Sequence, residues 1–224
     1  MPAAPQVRIL KEVDEGVGAD ALNTLARGAV AGALRCMEER EVLSSAMGND
    51  APLAALQERE ALVKALRSAA AAGLMAPLKA LLGRGEEMVV DAKADGGRTA
   101  LMWAATGGHA AAIAALVAAG AEVEAKDDKG RTALILAACY GHAAAIAALL
   151  AAGAEVNAKQ NDGMTALMSA AIGGHAAAIA ALLEAGAEVE AKDTGGATAL
   201  MAAAENGHAA AIAALLEAGA EVEA

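Results

Sequence analysis

Apolar positions in the second half of the chain recur at two spacings, one nested inside the other. Within "HAAAIAALLAAG" (142–153), Ile146, Leu149 and Leu150 fall at i, i+3 and i+4, which places them on one face of a helix. Nearly the same string returns every 33 residues: His109, His142, His175 and His208 keep that interval, as do Thr99, Thr132, Thr165 and Thr198, and Gly120, Gly153, Gly186 and Gly219. A fixed period of this size marks stacked supersecondary units, each burying its apolar face against its neighbours.

The pattern inside one unit predicts its elements. "DDKGRTALILAACYG" reads as a polar turn at Gly130, then Thr132 as helix N-cap, then a short apolar helix ending at Gly141. "HAAAIAALLAAG" follows as a second helix, and Gly153 stands where a left-handed C-terminal residue is wanted. "AEVNAKQNDG" reads as an extended, hairpin-like return to the next turn. The unit is therefore helix, turn, helix, loop.

These segments resemble the ankyrin repeat family, whose unit reads G-x-T-P-L-H-x-A-A-x-x-G-H, then an apolar helix and G-A-x-V-N-A. The chain offers "GRTALMWAATGGH", "GRTALILAACYGH", "GMTALMSAAIGGH" and "GATALMAAAENGH", followed by "GAEVEA" or "GAEVNA". The resemblance covers about 60–224 and implies an all-α ankyrin-repeat solenoid. It divides into one degenerate repeat near 60–95 and regular units near 96–128, 129–161, 162–194 and 195–224. The degenerate unit aligns if its loop "GEEMVVDAK" is two residues longer than "GAEVEAK".

Departures from the family pattern carry expectations of their own. The family's T-P-L-H becomes T-A-L-M or T-A-L-I, so Met102, Ile135, Met168 and Met201 stand where a His normally ties loops together, and apolar packing should replace that bond. Ala112 and Ala115 occupy positions that usually hold Val and Leu. Each such reduction forgoes roughly 2 kcal/mol unless the helices draw closer.

Residues 1–59 lack the period. "MPAAPQVRILKEVDEG" reads as an extended arm. The following stretch reads as a helix with Leu22, Leu25, Ala29, Ala33 and Cys36 along one stripe. Asp50 and Pro52 suggest the start of another helix running into the degenerate repeat. This helical N-terminal extension is either a cap over the first repeat or a docking arm for another subunit.

Composition narrows the function. The apolar fraction is 57%, but most of it is Ala, with no Phe, one Trp and one Tyr, so a lean helical core is expected. Although mean hydropathy is +0.41, no run of about 18 uncharged apolar residues occurs, and membrane insertion is not expected. A net charge of −11 argues against a nucleic-acid partner. Cys36 and Cys139 lie in unlike contexts and read as reduced thiols, and the N-terminus lacks an apolar signal region. An intracellular, cytoplasmic protein is expected, or an organellar one if a transit peptide has been removed.

Candidate chemistry is sparse. Histidines one period apart lie about 10 Å from each other in stacked helices, too far to share a Zn²⁺ with Zn–N bonds of about 2.0–2.1 Å. They read as structural groups satisfying backbone or loop partners. The periodic acids Glu122, Glu155, Glu188 and Glu221 read as solvated charge, and "GGHAAAI" is not a phosphate loop. Cys139 beside His142 occupies a variable slot and is not a built nucleophile. No catalytic, cofactor, metal or small-molecule site is expected.

What varies between units is the turn tip and the ends of the first helix. The resemblance implies that these positions line a concave face that binds another protein. They are Asp95, Arg98, Trp103 and Thr106 in one unit, and Asp128, Lys129, Arg131, Cys139 and Tyr140 in the next. Asn161, Asp162, Met164 and Ile172 follow, then Thr194, Glu205 and Asn206. Tyr140 with Arg131 forms the expected anchor, since Tyr and Arg are enriched at interface hot spots; Trp103 could equally be partly core. The expected function is a non-enzymatic protein-binding module. Two alternatives are a subunit of a larger assembly, docked through its N-terminal helices and the apolar face left by an uncapped last repeat, and an engineered consensus scaffold.

Overall fold

The computed structural model describes residues 51–83 and 90–222, with side chains from Arg59 onward except that of Asp95. The expected arm, the Leu22–Cys36 stripe and Asp50 lie outside the described residues. Ten α-helices and no strand occur among the described residues. They are α1 (Ala51–Ala71), α2 (Met75–Leu82), α3 (Ala100–Thr106), α4 (Ala110–Ala118), α5 (Ala133–Cys139), α6 (Ala143–Ala151), α7 (Ala166–Ile172), α8 (Ala176–Glu184), α9 (Ala199–Glu205) and α10 (Ala209–Glu217). Helix α1 carries Pro52 in its first turn, where a missing N–H costs nothing, and runs on through the point where the period begins.

Each first helix starts because a Thr closes its N-terminus. Thr132 Oγ1 accepts the N–H of Ile135 at 3.4 Å, and Thr99, Thr165 and Thr198 repeat this bond. The helix ends because Gly141 takes φ 72°, a left-handed value that glycine adopts freely. The Gly141 N–H then donates to Ala138 O and the His142 N–H to Ala137 O, satisfying carbonyls the helix leaves open. Gly153 at φ 88° closes the second helix in the same manner, with Ala154 N–H donating to Leu149 O.

Stacking is by rows. First helices α1, α3, α5, α7 and α9 pack successively on one another, and second helices α2, α4, α6, α8 and α10 form a parallel row. The core lies between them: Leu101, Ile113, Leu116, Leu134, Ile146, Leu149, Leu167, Ile179 and Leu182 are buried, each worth about 1.5–3 kcal/mol. Paired alanines such as Ala104–Ala105 and Ala137–Ala138 are fully buried on the first helices. Met102, Ile135 and Met168 are buried in this core, as their apolar character predicts.

The loops form no strand among the described residues; single backbone bonds join successive turn tips (Asp128 N–H to Gly96 O, Asn161 N–H to Lys129 O and Thr194 N–H to Asp162 O), and side chains add further ties. Asp91 Oδ1, Glu124 Oε1, Asn157 Oδ1 and Glu190 Oε1 each accept the backbone N–H of the residue opposite in the next loop, Glu122, Glu155, Glu188 and Glu221, all at 2.9 Å. Lys93, Lys126 and Lys159 each send Nζ to the carbonyl of the lysine one period on. The periodic acids Glu122, Glu155, Glu188 and Glu221 are exposed, as expected of solvated charge, while their backbone N–H groups are held by a second periodic set of acceptors.

Candidate partner-binding face

Two kinds of residue meet on the side lined by the first helices: constant ones engaged in joining units, and variable ones left beside them. The histidines belong to the first kind. His109 Nε2 lies 2.9 Å from Ala71 O, His142 Nε2 3.0 Å from Thr106 O, His175 Nε2 3.1 Å from Cys139 O and His208 Nε2 2.9 Å from Ile172 O. A carbonyl only accepts, so each ring carries its proton on Nε2. Every ring therefore ties its own second helix to the end of the preceding unit's first helix. The His109 bond spans 38 residues where the others span 36, matching the two extra residues of the degenerate unit's loop.

Among the variable residues, one cluster stands out. The Asp127 carboxylate is completely buried. Its Oδ1 accepts the N–H groups of Lys129 and Arg131 at 2.9 Å, closing the turn, and its Oδ2 accepts Arg131 Nε at 2.8 Å and Nη2 at 2.7 Å. Arg98, from the preceding unit, brings its Nε only to 3.8 Å of the same Oδ2, while its guanidinium lies over the Trp103 ring at 5.1 Å. Trp103 Nε1 is buried with no acceptor among the described residues.

The cluster continues to the end of α5. Burial pushes the Cys139 thiol above its ordinary value, with the Arg131 and Arg98 charges pulling against it. Burial likewise raises the Tyr140 hydroxyl, helped by Cys139 and opposed by the two guanidiniums. Tyr140 stacks on His142 with ring centroids 6.3 Å apart and planes inclined by 18°. With a raised pKa, Cys139 is a poor nucleophile at neutral pH. No group of three or more His, Cys, Asp or Glu that could hold a metal occurs among the described residues, and no helix there is long and apolar enough to cross a membrane.

The family model for ankyrin repeats (3 copies) matches residues 66–160 and 148–224, which together run through most of the chain. The chain belongs to the ankyrin-repeat family. No curated protein matches it. Ankyrin repeats are protein–protein interaction modules, generally without enzymatic activity.

Within this ankyrin-repeat array the variable residues divide by position. Arg98, Trp103, Arg131, Cys139 and Tyr140 are brought together as above. The turn tips Asp128, Lys129, Asn161, Asp162 and Thr194 are exposed, and several also join loops: Asn161 Nδ2 donates to Asp128 O at 3.1 Å, and Thr194 N–H donates to Asp162 O at 2.8 Å. Asp95 opens a short 3₁₀ turn (Asp95–Gly97), and its side chain lies outside the described residues. Thr106 Oγ1 donates to Met102 O, Ile172 is half-buried, and Glu205 and Asn206 are exposed at the end of α9.

Met164, expected on the surface, is instead buried in the core at 9% exposure. It stands one period after Arg131, whose guanidinium is neutralised by the enclosed Asp127 carboxylate. A thioether has no charge to neutralise, and Gln160 replaces the aspartate that would pair one. The key residue not anticipated is Asp127. Its position holds Ala94, Gln160 and Asp193 in other units, so periodicity does not mark it; the available signal was the D-x-x-x-R pairing of Asp127 with Arg131 across a turn.

Proposed function

We propose that this ankyrin-repeat protein is a non-enzymatic binding module that seats a partner protein on the concave side of the solenoid. The observation supporting this is the convergence of Arg98, Trp103, Arg131 and Tyr140, residue types enriched at interface hot spots, on the face that the constant residues leave free. Tyr140 and Arg98 are the anchors, because Arg131 is already committed to Asp127. Asp128, Lys129, Asn161, Asp162, Thr194, Glu205 and Asn206 form the surrounding rim. The partner is a protein: the charge of −11 disfavours nucleic acid. The half-buried free Cys139 suits a reducing, cytoplasmic setting. Capture of binding proteins by the wild type, by Tyr140→Ala and by the second-helix control Glu184→Ala tests the reading. Binding lost only in Tyr140→Ala supports it, and loss confined to Glu184→Ala rejects it.

A second reading, a subunit docked within a larger assembly, is favoured by one observation. Met201 is 41% exposed, whereas its counterparts Met102, Ile135 and Met168 are 1%, 1% and 3% exposed, and Leu216 beyond it is 43% exposed. Light scattering of the full chain tests this: a monomer with a cooperative melt rejects an obligate subunit.

A further inference from the structure

We infer that the partner presents an acidic side chain, an aspartate or glutamate carboxylate, to Arg98 at the Trp103 site. This rests on the reading of the first-helix side as the binding face and names the chemistry that face selects.

The Asp127 carboxylate is a saturated acceptor. A carboxylate offers about four lone-pair sites. In Asp127 these face Lys129 N–H and Arg131 N–H at Oδ1, and Arg131 Nε and Nη2 at Oδ2. Arg98 is held near this group by charge, but at 3.8 Å its Nε is beyond hydrogen-bond range. Its side chain has no hydrogen bond among the described residues. Two guanidiniums thus share one carboxylate whose acceptor capacity is spent.

Arg98 is also positioned in advance. Its guanidinium rests over the Trp103 ring, an interaction that engages the π face and leaves its N–H donors available. The side chain is 18% exposed, while Asp127 is fully enclosed, so an approaching group meets the cation and not the anion. Fixing the side chain beforehand removes much of the ordering cost of binding. The site is local: one and two periods after Arg131 stand Met164 and Ala197, and the positions matching Trp103 are Leu136, Ser169 and Ala202. On a chain of net charge −11, this donor-rich spot selects a carboxylate within an otherwise acidic surface.

Trp103 is the chain's one tryptophan, so its emission reports on this site alone. Random peptides displayed against the full chain, with bound sequences titrated by Trp103 fluorescence, test the inference. The expected result is enrichment of peptides bearing Asp or Glu that change Trp103 emission. Their binding weakens about tenfold or more on Arg98→Gln, and equally on replacing the peptide's acid with its amide. The two losses should not add, because each removes the same contact. Arg98→Gln leaves the Asp127–Arg131 pair intact, and its circular dichroism and melt check the fold. Peptides that depend on Tyr140 but carry no acid, or that ignore Arg98→Gln, overturn the acidic partner while leaving the binding face standing. Selective binding of phosphoserine over glutamate versions of the same peptides overturns the carboxylate. A selection yielding no peptide sensitive to Tyr140→Ala or Arg98→Gln overturns the face itself.

Discussion

His175 reaches out of its own unit to donate to the carbonyl of Cys139, 36 residues earlier, at 3.1 Å. The bond occupies an acceptor at the end of α5 while the same residue begins α8, so a ring at a helix start serves the unit before it. Its N-cap position makes no side-chain cap bond, consistent with this use. His175→Ala should lower stability by about 1–2 kcal/mol, the cost of leaving a part-buried carbonyl unpaired. His208→Ala, which joins only the last unit, should loosen that unit with little effect on the others. Urea unfolding and amide exchange of the two variants check this.

Glycines Gly141 and Gly153 both have positive φ, yet they differ in what surrounds them. A Cβ at Gly141 would stand 2.6 Å from the His175 ring, whereas at Gly153 it would meet nothing within 4 Å. Gly153→Ala should cost about 1–2 kcal/mol for the left-handed backbone alone. Gly141→Ala should cost more, because the ring of the next unit must move. Denaturation midpoints of the two variants give the comparison.

Asp127 and Arg98 should contribute unequally to stability. Asp127→Ala removes the turn's acceptor and leaves two guanidiniums together, and should cost about 2–4 kcal/mol. Arg98→Gln removes a part-exposed, long contact and should cost under about 1 kcal/mol. Thermal melts of both proteins decide whether Arg98 is available for a partner.

Alkaline pH should destabilise the array through Cys139 and Tyr140. Both have folded pKa values raised by burial, so the folded state retains protons that the unfolded chain releases. Their contribution is complete below the ordinary values of 9.0 and 10.0 and is lost as pH rises through the folded values. In a Cys36→Ser background, alkylation of Cys139 should be slower at pH 8 than in the urea-unfolded chain. Equal rates would contradict its burial.

The sequence revealed the parts of the fold that geometry forces to recur. Thr132, Gly141, His142 and Gly153 each satisfy a backbone requirement that every unit shares, so their types and spacing were visible without coordinates. The inter-loop acceptors Asp91, Glu124, Asn157 and Glu190 were not, because different side chains perform one task. Met164 looked like surface because it varies, but variation at a turn does not distinguish a carboxylate-paired arginine from a buried thioether. Asp127 escaped notice because its position is not periodic; its pairing with Arg131 is local in sequence, and only the approach of Arg98 is created by stacking. The candidate face was therefore legible as a location, while the division between its pinned Arg131 and its available Arg98 was not.

The proposed partner contacts lie on the side lined by the first helices. Amide chemical-shift mapping of the full chain with a selected peptide tests this most directly. Shifts concentrated in 98–107 and 128–141 are the expected result; shifts confined to the second helices, 110–118 and 143–151, would place the partner elsewhere and overturn the reading.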